Sequence, residues 1–189
     1  MSLDIKTVKY DNEGNLWVCY GQGFRMYDAV EIAWVMLKVA KDKGIQLSNL
    51  QLQKLVYIAH GYFLAWKDKP LIADDVEAWK YGPVISSIYQ TFKTYGSSKI
   101  PTESIEDLKL EDLEDEDKDA LECIEGILEM YGKDRPESLI AITHQADSPW
   151  YDTWERKNGK NKLFAKMDND YIRKHYLRVM NDPESVGGL

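Results

Sequence analysis

Residues 50–84 constrain the fold more than any other stretch of this chain, because their two halves have different periodicities. Across 52–66, one stripe at helical spacing is apolar and consists of Leu52, Leu55, Val56, Ala59, Phe63 and Trp66. The second half, 70–84, has no helical period and ends on Gly82-Pro83, a pair that forces a turn. The sequence therefore predicts an amphipathic helix joined to a short extended segment.

Size and composition indicate one globular domain. The chain has 189 residues, enough for one well-buried core but few for two, and 44% of them are hydrophobic. The longest apolar run, 29–40, is interrupted by Glu31 and Lys38, and no basic leader precedes an apolar stretch at the start. We therefore expect a cytoplasmic protein that does not associate with a membrane.

The residues before Asp28 predict a β hairpin. Segments 5–10 and 16–20 are strand-like, and the residues between them include Gly14 and two asparagines, which favour a turn. Because a lone hairpin is marginally stable in water, we expect it to pack on the extended segment 76–81. Residues 1–27 are thus predicted to form a hairpin-like extension of the main domain.

The remainder predicts a mainly α fold, a single helical domain of six or seven helices over residues 28–180 with a flexible tail at 181–189. Asp28 is the expected N-cap of helix 29–42, which is apolar nearly all round and should be the core. Ser48 and Gln51 form a capping box that starts the next helix at Asn49. Later helices are predicted at 84–95 with Pro83 at position N1, from Asp117 or Asp119 to 131, at 137–145, 150–157 and 169–180. Gly61 is expected where helix 29–42 approaches closely.

Charge is distributed unevenly along the chain. Residues 103–122 contain eleven acidic and two basic residues, whereas 154–178 contain eight basic and three acidic ones. The simpler interpretation is a solvated acidic connection, within which 105–108 form one helical turn, beside a basic helix. The alternative is an acidic surface that steers a basic partner.

The residues that usually carry catalysis are scattered in this sequence. Cys19 and Cys123 lie far apart, and His60, His144 and His175 have no second ligand-type residue at metal spacing. The sequence lacks a nucleophile elbow and a phosphate-binding glycine loop. We therefore expect a protein that is not an enzyme and that needs no metal or cofactor.

Four short motifs resemble those of one known family. They are Leu52-Gln53-Lys54-Leu55, the segment 78–84, Thr143-His144 and Pro149-Trp150, and together they resemble the Panacea domain of the SocA-like antitoxins and of the phage-associated protein GepA. The positions that match as motif or structural residues are Leu52, Lys54, Leu55, Trp79, Gly82, Pro83, His144, Pro149 and Trp150. Among these, His144 is expected to help hold Trp150.

The resemblance implies a bacterial or prophage-encoded antitoxin that binds and neutralises a cognate toxin protein encoded nearby. One branch of the family implies a proteolytic adaptor that presents the toxin to a host protease. Two further alternatives are an orphan prophage protein and a DNA-binding protein, since the basic segment 156–166 is flanked by Trp154 and contains Phe164. With a pI near 5.0, nucleic acid is not the expected partner.

A recognition groove is predicted on the side of helix 52–66 opposite its apolar stripe. Tyrosine is common at protein interfaces, because its ring provides apolar contact area and its hydroxyl can form a hydrogen bond. The residues expected to bind the partner are Gln53, Tyr57, His60, Lys80 and Tyr81.

Overall fold

The fold is mainly helical, with two small antiparallel sheets. The computed structural model describes residues 5–10, 16–20, 26–102 and 118–182. The predicted turn at 11–15, the helical turn at 105–108 and nearly all of the predicted tail lie outside these residues. The prediction of a mainly α protein with a small β element is confirmed.

Seven α-helices and four strands form the described part of the chain. In order they are β1 (Ile5–Tyr10), β2 (Leu16–Tyr20), α1 (Ala29–Asp42), α2 (Asn49–Lys67), β3 (Val76–Trp79), β4 (Gly82–Ile85), α3 (Ser86–Phe92), α4 (Lys118–Tyr131), α5 (Pro136–Thr143), α6 (Pro149–Tyr151) and α7 (Asn169–Asn181). Single turns of 3-10 helix occupy Lys93–Tyr95 and Gly159–Asn161, and a π-helical turn at Asp152–Arg156 continues α6.

The predicted helix starts agree with the structure where a side chain caps the first turn. The Asp28 carboxylate accepts a 2.8 Å hydrogen bond from the backbone N–H of Val30, so α1 begins at Ala29. Ser48 and Gln51 satisfy each other's backbone N–H groups in a capping box, and α2 begins at Asn49. These local hydrogen bonds mark the first residue of each helix.

Helix α2 is the central element of the fold, and the prediction that it is amphipathic is wrong. It packs against α1, α3, α4, α5, α7 and β4, and every residue from Gln51 to Gly61 is buried. Its polar side chains are buried because they bond to backbone groups of neighbouring segments. Trp66, which belongs to the predicted apolar stripe, is 41% exposed because it lies at the end of α2. Helix α1 is largely buried as predicted, but it lies beside α2.

Gly61 permits a close helix contact, with a different partner from the predicted one. A Cβ at this position would overlap the Tyr176 ring of α7. The tyrosine ring therefore occupies the space that any larger residue would fill. The missing side chain serves the packing of α2 on α7, not on α1.

The two sheets are separate hairpins. β1 and β2 pair with each other, as the sequence predicted for these segments. β3 pairs with β4 from Val76↔Ile85 to Trp79↔Gly82. The expected pairing of the first hairpin with β3 is wrong, because the other edge of β3 pairs with segment 165–167.

Pro83 belongs to strand β4, so the prediction that it opens a helix at N1 is wrong. Lys80 and Tyr81 form a two-residue turn after β3, and Gly82, with φ of 101°, continues directly into β4. The helix begins only at Ser86. Within the described residues, no helix is both long and apolar enough to cross a membrane.

Candidate functional site

Strand β4 is attached to α2 by the side chain of Gln53. The Gln53 Oε1 accepts a 2.9 Å hydrogen bond from the backbone N–H of Ile85, and its Nε2 donates a 3.0 Å bond to the carbonyl of the same residue. The side-chain amide thus satisfies both backbone groups of Ile85, as a neighbouring strand would. This pair of bonds fixes the end of the β3–β4 hairpin on the central helix.

Lys54 makes a second attachment one residue along α2. Its Nζ donates a 3.0 Å hydrogen bond to the carbonyl of Pro83, and the residue is 1% exposed. Burial disfavours the charged form and lowers the pKa of the Lys54 ammonium to about 7. The Nζ lies so close to Gly82 that a Cβ there would overlap it. Glycine at position 82 therefore supplies both the positive φ and the space for the lysine.

The side chains of His144 and Trp150 contact the hairpin next to its turn. Their rings stack at a centroid distance of 3.7 Å with 5° between the planes. The Trp150 Nε1 donates a 2.7 Å hydrogen bond to the carbonyl of Trp79, and the His144 Nε2 lies beside Gly82, where a Cβ would be 3.0 Å from it. Burial, together with the nearby Lys54, lowers the pKa of His144 to about 4. We call Gln53, Lys54, His144 and Trp150 the hairpin anchor.

Glu77 completes the support beneath β3. Its carboxylate accepts a 2.8 Å hydrogen bond from the Trp79 Nε1 and a 3.1 Å bond from the hydroxyl of Ser86. Two neutral donors therefore satisfy a carboxylate that is largely buried. The Trp79 ring in turn meets Tyr89 edge to face at 5.1 Å, which orients both aromatic rings on β3 and α3.

The hairpin tip, Lys80 and Tyr81, projects from this support into solvent. Tyr81 is 62% exposed, and the Lys80 Nζ lies 5.4 Å from the centroid of its ring. A short turn that Trp150 bonds at its first flank and His144 contacts at Gly82 presents an aromatic ring and a cation in a defined position. Such a projection suits the binding of another macromolecule.

Two of the five predicted binding residues are thus exposed, and the exposure predicted for the other three is wrong. Gln53 is buried beneath β4, as described above, and the Tyr57 ring meets Tyr176 edge to face at 6.0 Å. Burial of Tyr57 raises the pKa of its hydroxyl. The predicted groove on α2 is therefore filled by β4 and α7.

His60 is the third residue with a wrong predicted exposure, since it is fully buried. Its Nε2 lies 3.0 Å from the Oδ1 of Asn169, and its Nδ1 accepts a hydrogen bond from the backbone N–H of Ile72 at 3.5 Å. These bonds link α2 to the start of α7 and to the connection before β3. Burial lowers the pKa of His60 to about 4, so the ring is neutral near pH 7.

Cys123 and His175 are the remaining thiol and imidazole within 26–102 and 118–182, and each is buried. The Cys123 thiol donates to the carbonyl of Ala59, and burial raises its pKa to about 12. His175 is buried, and its pKa is lowered to about 4 by burial and by Arg178. Across 26–102 and 118–182, no three His, Cys, Asp or Glu residues lie where they could hold a metal ion.

Sequence reasoning missed one exposed feature, the apolar pair Leu163 and Phe164. These residues are 89% and 68% exposed, respectively. Phe164 was predicted only as part of the basic segment 156–166, and no role was predicted for Leu163. The signal was a pair of large apolar residues in a turn segment of lysine, asparagine and glycine, a context that does not bury them.

Comparison with known proteins gave one family and one curated relative. The family described as "Antitoxin SocA-like, Panacea domain" matches residues 52–151. Antitoxin SocA of Caulobacter vibrioides (strain NA1000 / CB15N) is 38% identical over 128 residues, which are 65% of this chain and 68% of that protein. No solved structure matches the chain significantly.

Proposed function

Because the chain belongs to the SocA-like antitoxin family defined by the Panacea domain, we propose that it is an antitoxin that neutralises a partner toxin by direct binding. The observation that carries the proposal is the set of contacts made by residues 52–151, the segment that matches the family. Three of its buried polar residues, Gln53, Lys54 and Glu77, hold one hairpin together with Trp150, and the exposed part of that hairpin is the tip Lys80-Tyr81.

The energetics of the hairpin anchor support this interpretation. A buried lysine ammonium loses its hydration and is costly unless well bonded, and an apolar residue of similar length would avoid that cost. Lys54 bonds to a carbonyl of the hairpin, with no carboxylate in the bond. We infer that Lys54 is present despite this desolvation cost because its hydrogen bond fixes the position of the hairpin tip.

A fixed tip favours tight binding. Ordering a flexible loop on association costs about 0.5–1.5 kcal/mol for each side chain immobilised. A two-residue turn held on both sides by α2 and Trp150 avoids much of that cost. Tyr81 then serves as an aromatic anchor and Lys80 as a charge that orients the partner.

Neutralisation in this form requires no reaction. Covering the working surface of the toxin is sufficient, so we propose a non-catalytic, cytoplasmic binding protein whose partner is encoded nearby. The adaptor alternative stays a prediction, since it requires a second surface for a host protease in addition to the hairpin tip.

Co-expression tests the proposal. The neighbouring open reading frame is expressed alone and then together with this protein, and we expect toxicity that co-expression relieves. Lys80→Glu should weaken the rescue, whereas Lys174→Glu, which reverses an exposed lysine on α7, should rescue as the wild type does. Growth unaffected by every neighbouring gene product would refute the antitoxin function.

A further inference from the structure

The three most exposed large hydrophobic residues of the described chain lie at one end of one small sheet. They are Leu163, Phe164 and Tyr81. Ala78 donates to the carbonyl of Ala165, and Met167 donates to the carbonyl of Val76, so segment 165–167 runs antiparallel to β3. Leu163 and Phe164 directly precede Ala165, which is bonded to Ala78, three residues before Tyr81. The apolar pair therefore adjoins the end of this sheet from which the hairpin tip projects.

The backbone at Phe164 is strained. Its φ is 55°, in the left-handed region that a bulky residue rarely adopts, whereas the same loop uses an asparagine, Asn158, at φ of 58°. Asparagine or glycine would relieve the strain at position 164 as well. Because the Phe164 side chain is mostly exposed, it gains little from packing within this chain. The strain is therefore explained if the ring packs against another molecule.

The loop that carries the pair is held in place. Gly159 is buried, and a Cβ there would overlap the carbonyl of Thr153. Lys162 donates a 2.8 Å backbone hydrogen bond to the carbonyl of Gly159, and Ala165 is fixed to β3 on the other side. The apolar pair is thus presented by a constrained turn, as Tyr81 is.

Lysines lie next to the three hydrophobic residues along the chain. Lys160 pairs with Glu155 and Lys166 with Asp75, but Lys80 and Lys162 form no ion pair within the part of the chain that the structure describes. Two lysines flanking the hydrophobic residues therefore keep their charge uncompensated. A complementary surface would be an apolar cavity with carboxylates on its rim.

We propose that Leu163, Phe164 and Tyr81 form one lysine-flanked binding ridge that inserts into an apolar cavity with an acidic rim on the toxin. This inference rests on the proposed antitoxin function. It extends the interface to residues that lie outside the matched segment 52–151. A protein partner fits better than an anionic membrane, because the chain carries a net charge of -8.

The test is a set of binding measurements with the purified product of the neighbouring gene. We expect Phe164→Gly to preserve or raise the melting temperature, since it removes the strain, and to weaken binding at least about tenfold. Lys162→Glu should slow association and reduce its salt dependence. Met130→Ser, at an exposed apolar residue of α4, is the matched control and should bind as the wild type does.

The outcomes separate this inference from the function on which it rests. If the wild type binds no neighbouring gene product, the antitoxin function fails and the ridge inference fails with it. If the wild type binds and Phe164→Gly binds equally well, only the ridge is refuted. Phe164-dependent binding to vesicles of equal parts phosphatidylcholine and phosphatidylglycerol, with no effect on toxin binding, would also overturn it.

Discussion

At the scale of single residues, the buried polar groups of α2 decide how the hairpin is placed. Lys54 and His60 lie on the same helix, and burial depresses the pKa of each. Each bonds to a segment distant in sequence, Lys54 to β4 and His60 to the start of α7. Both groups are therefore expected to link folding stability to pH, in two different ranges.

Lys54 should make the free energy of unfolding rise with pH above neutrality. The unfolded chain keeps a lysine pKa near 10.4, whereas the folded pKa is about 7, so the unfolded chain binds more protons between these values. Stability should increase by roughly 1.5 kcal/mol between about pH 7 and pH 8.5. Urea denaturation of the wild type and of Lys54→Met measures this, and the variant should lose the increase.

The increase in stability is expected only up to about pH 8.5. Above this pH the Cys123 thiol ionises in the unfolded chain, whereas burial raises its pKa in the folded protein. This ionisation favours unfolding and therefore opposes the effect of Lys54. Lys174→Met, at an exposed lysine of α7, serves as the control and should keep the increase. An increase of the same size in Lys54→Met would refute the assignment to the buried ammonium.

His60 should contribute to loss of stability in acid. Its unfolded pKa is near 6.5 and its folded pKa about 4, so the unfolded chain binds the extra proton as pH falls through this range. The loss from this group is about 3 kcal/mol. In His60→Gln, the amide can bond to Asn169 and Ile72 without titrating, so unfolding curves recorded at about pH 6.5 and pH 4.5 should differ less than those of the wild type. Identical differences would contradict the role of His60.

The identity of the residues at these positions did not determine whether their side chains are exposed. Gln53, Tyr57 and His60 were assigned to a surface because they lie opposite an apolar stripe. A polar side chain in that position can equally bond to buried backbone, and only the partner segments decide between the two. Those partners, β4 and α7, are distant in sequence and could not be identified from the helix itself.

At the scale of elements, the contact between α2 and α7 depends on Gly61. Gly61→Ala should destabilise the protein by about 3 kcal/mol, because a Cβ would overlap the Tyr176 ring. Gly126→Ala is the matched control on α4, where a Cβ would meet no atom within 4 Å, and should stabilise by about 0.5–1 kcal/mol. Thermal or urea unfolding checks both, and equal effects of the two substitutions would disprove the close contact.

Attachment of β4 to α2 should depend on the Gln53 amide. Gln53→Leu leaves both backbone groups of Ile85 without partners, at a cost of roughly 1–3 kcal/mol each. Hydrogen exchange at the Ile85 amide should accelerate, while Gln90→Leu, at an exposed position of α3, should not change it. Unchanged protection in Gln53→Leu would show that β4 is held by other contacts.

Element boundaries were predictable where the signal was local. The caps at Asp28 and Ser48 place the starts of α1 and α2 because each cap bonds to a residue two or three positions away. Pro83 did not locate an element boundary, because proline is compatible with both the first turn of a helix and an edge strand. The choice is made by Lys54 and Gln53, which bond to β4 from another element.

At the scale of the whole molecule, the sequence motifs of residues 52–151 meet around one hairpin. The helix motif supplies Gln53 and Lys54, and the later motifs supply His144 and Trp150. The mainly helical fold and the family followed from these motifs and from hydrophobic periodicity. The central position of α2 did not, because it results from contacts with five other helices and with β4.

The central claim is that the hairpin tip binds the toxin directly, and calorimetric titration of the purified protein with the product of the neighbouring gene tests it. We expect the wild type to bind and Tyr81→Ala to weaken binding at least about tenfold, with an unchanged melting temperature, because Tyr81 is an exposed anchor. Absence of binding by the wild type, or equal affinity of the folded variant, would contradict the claim.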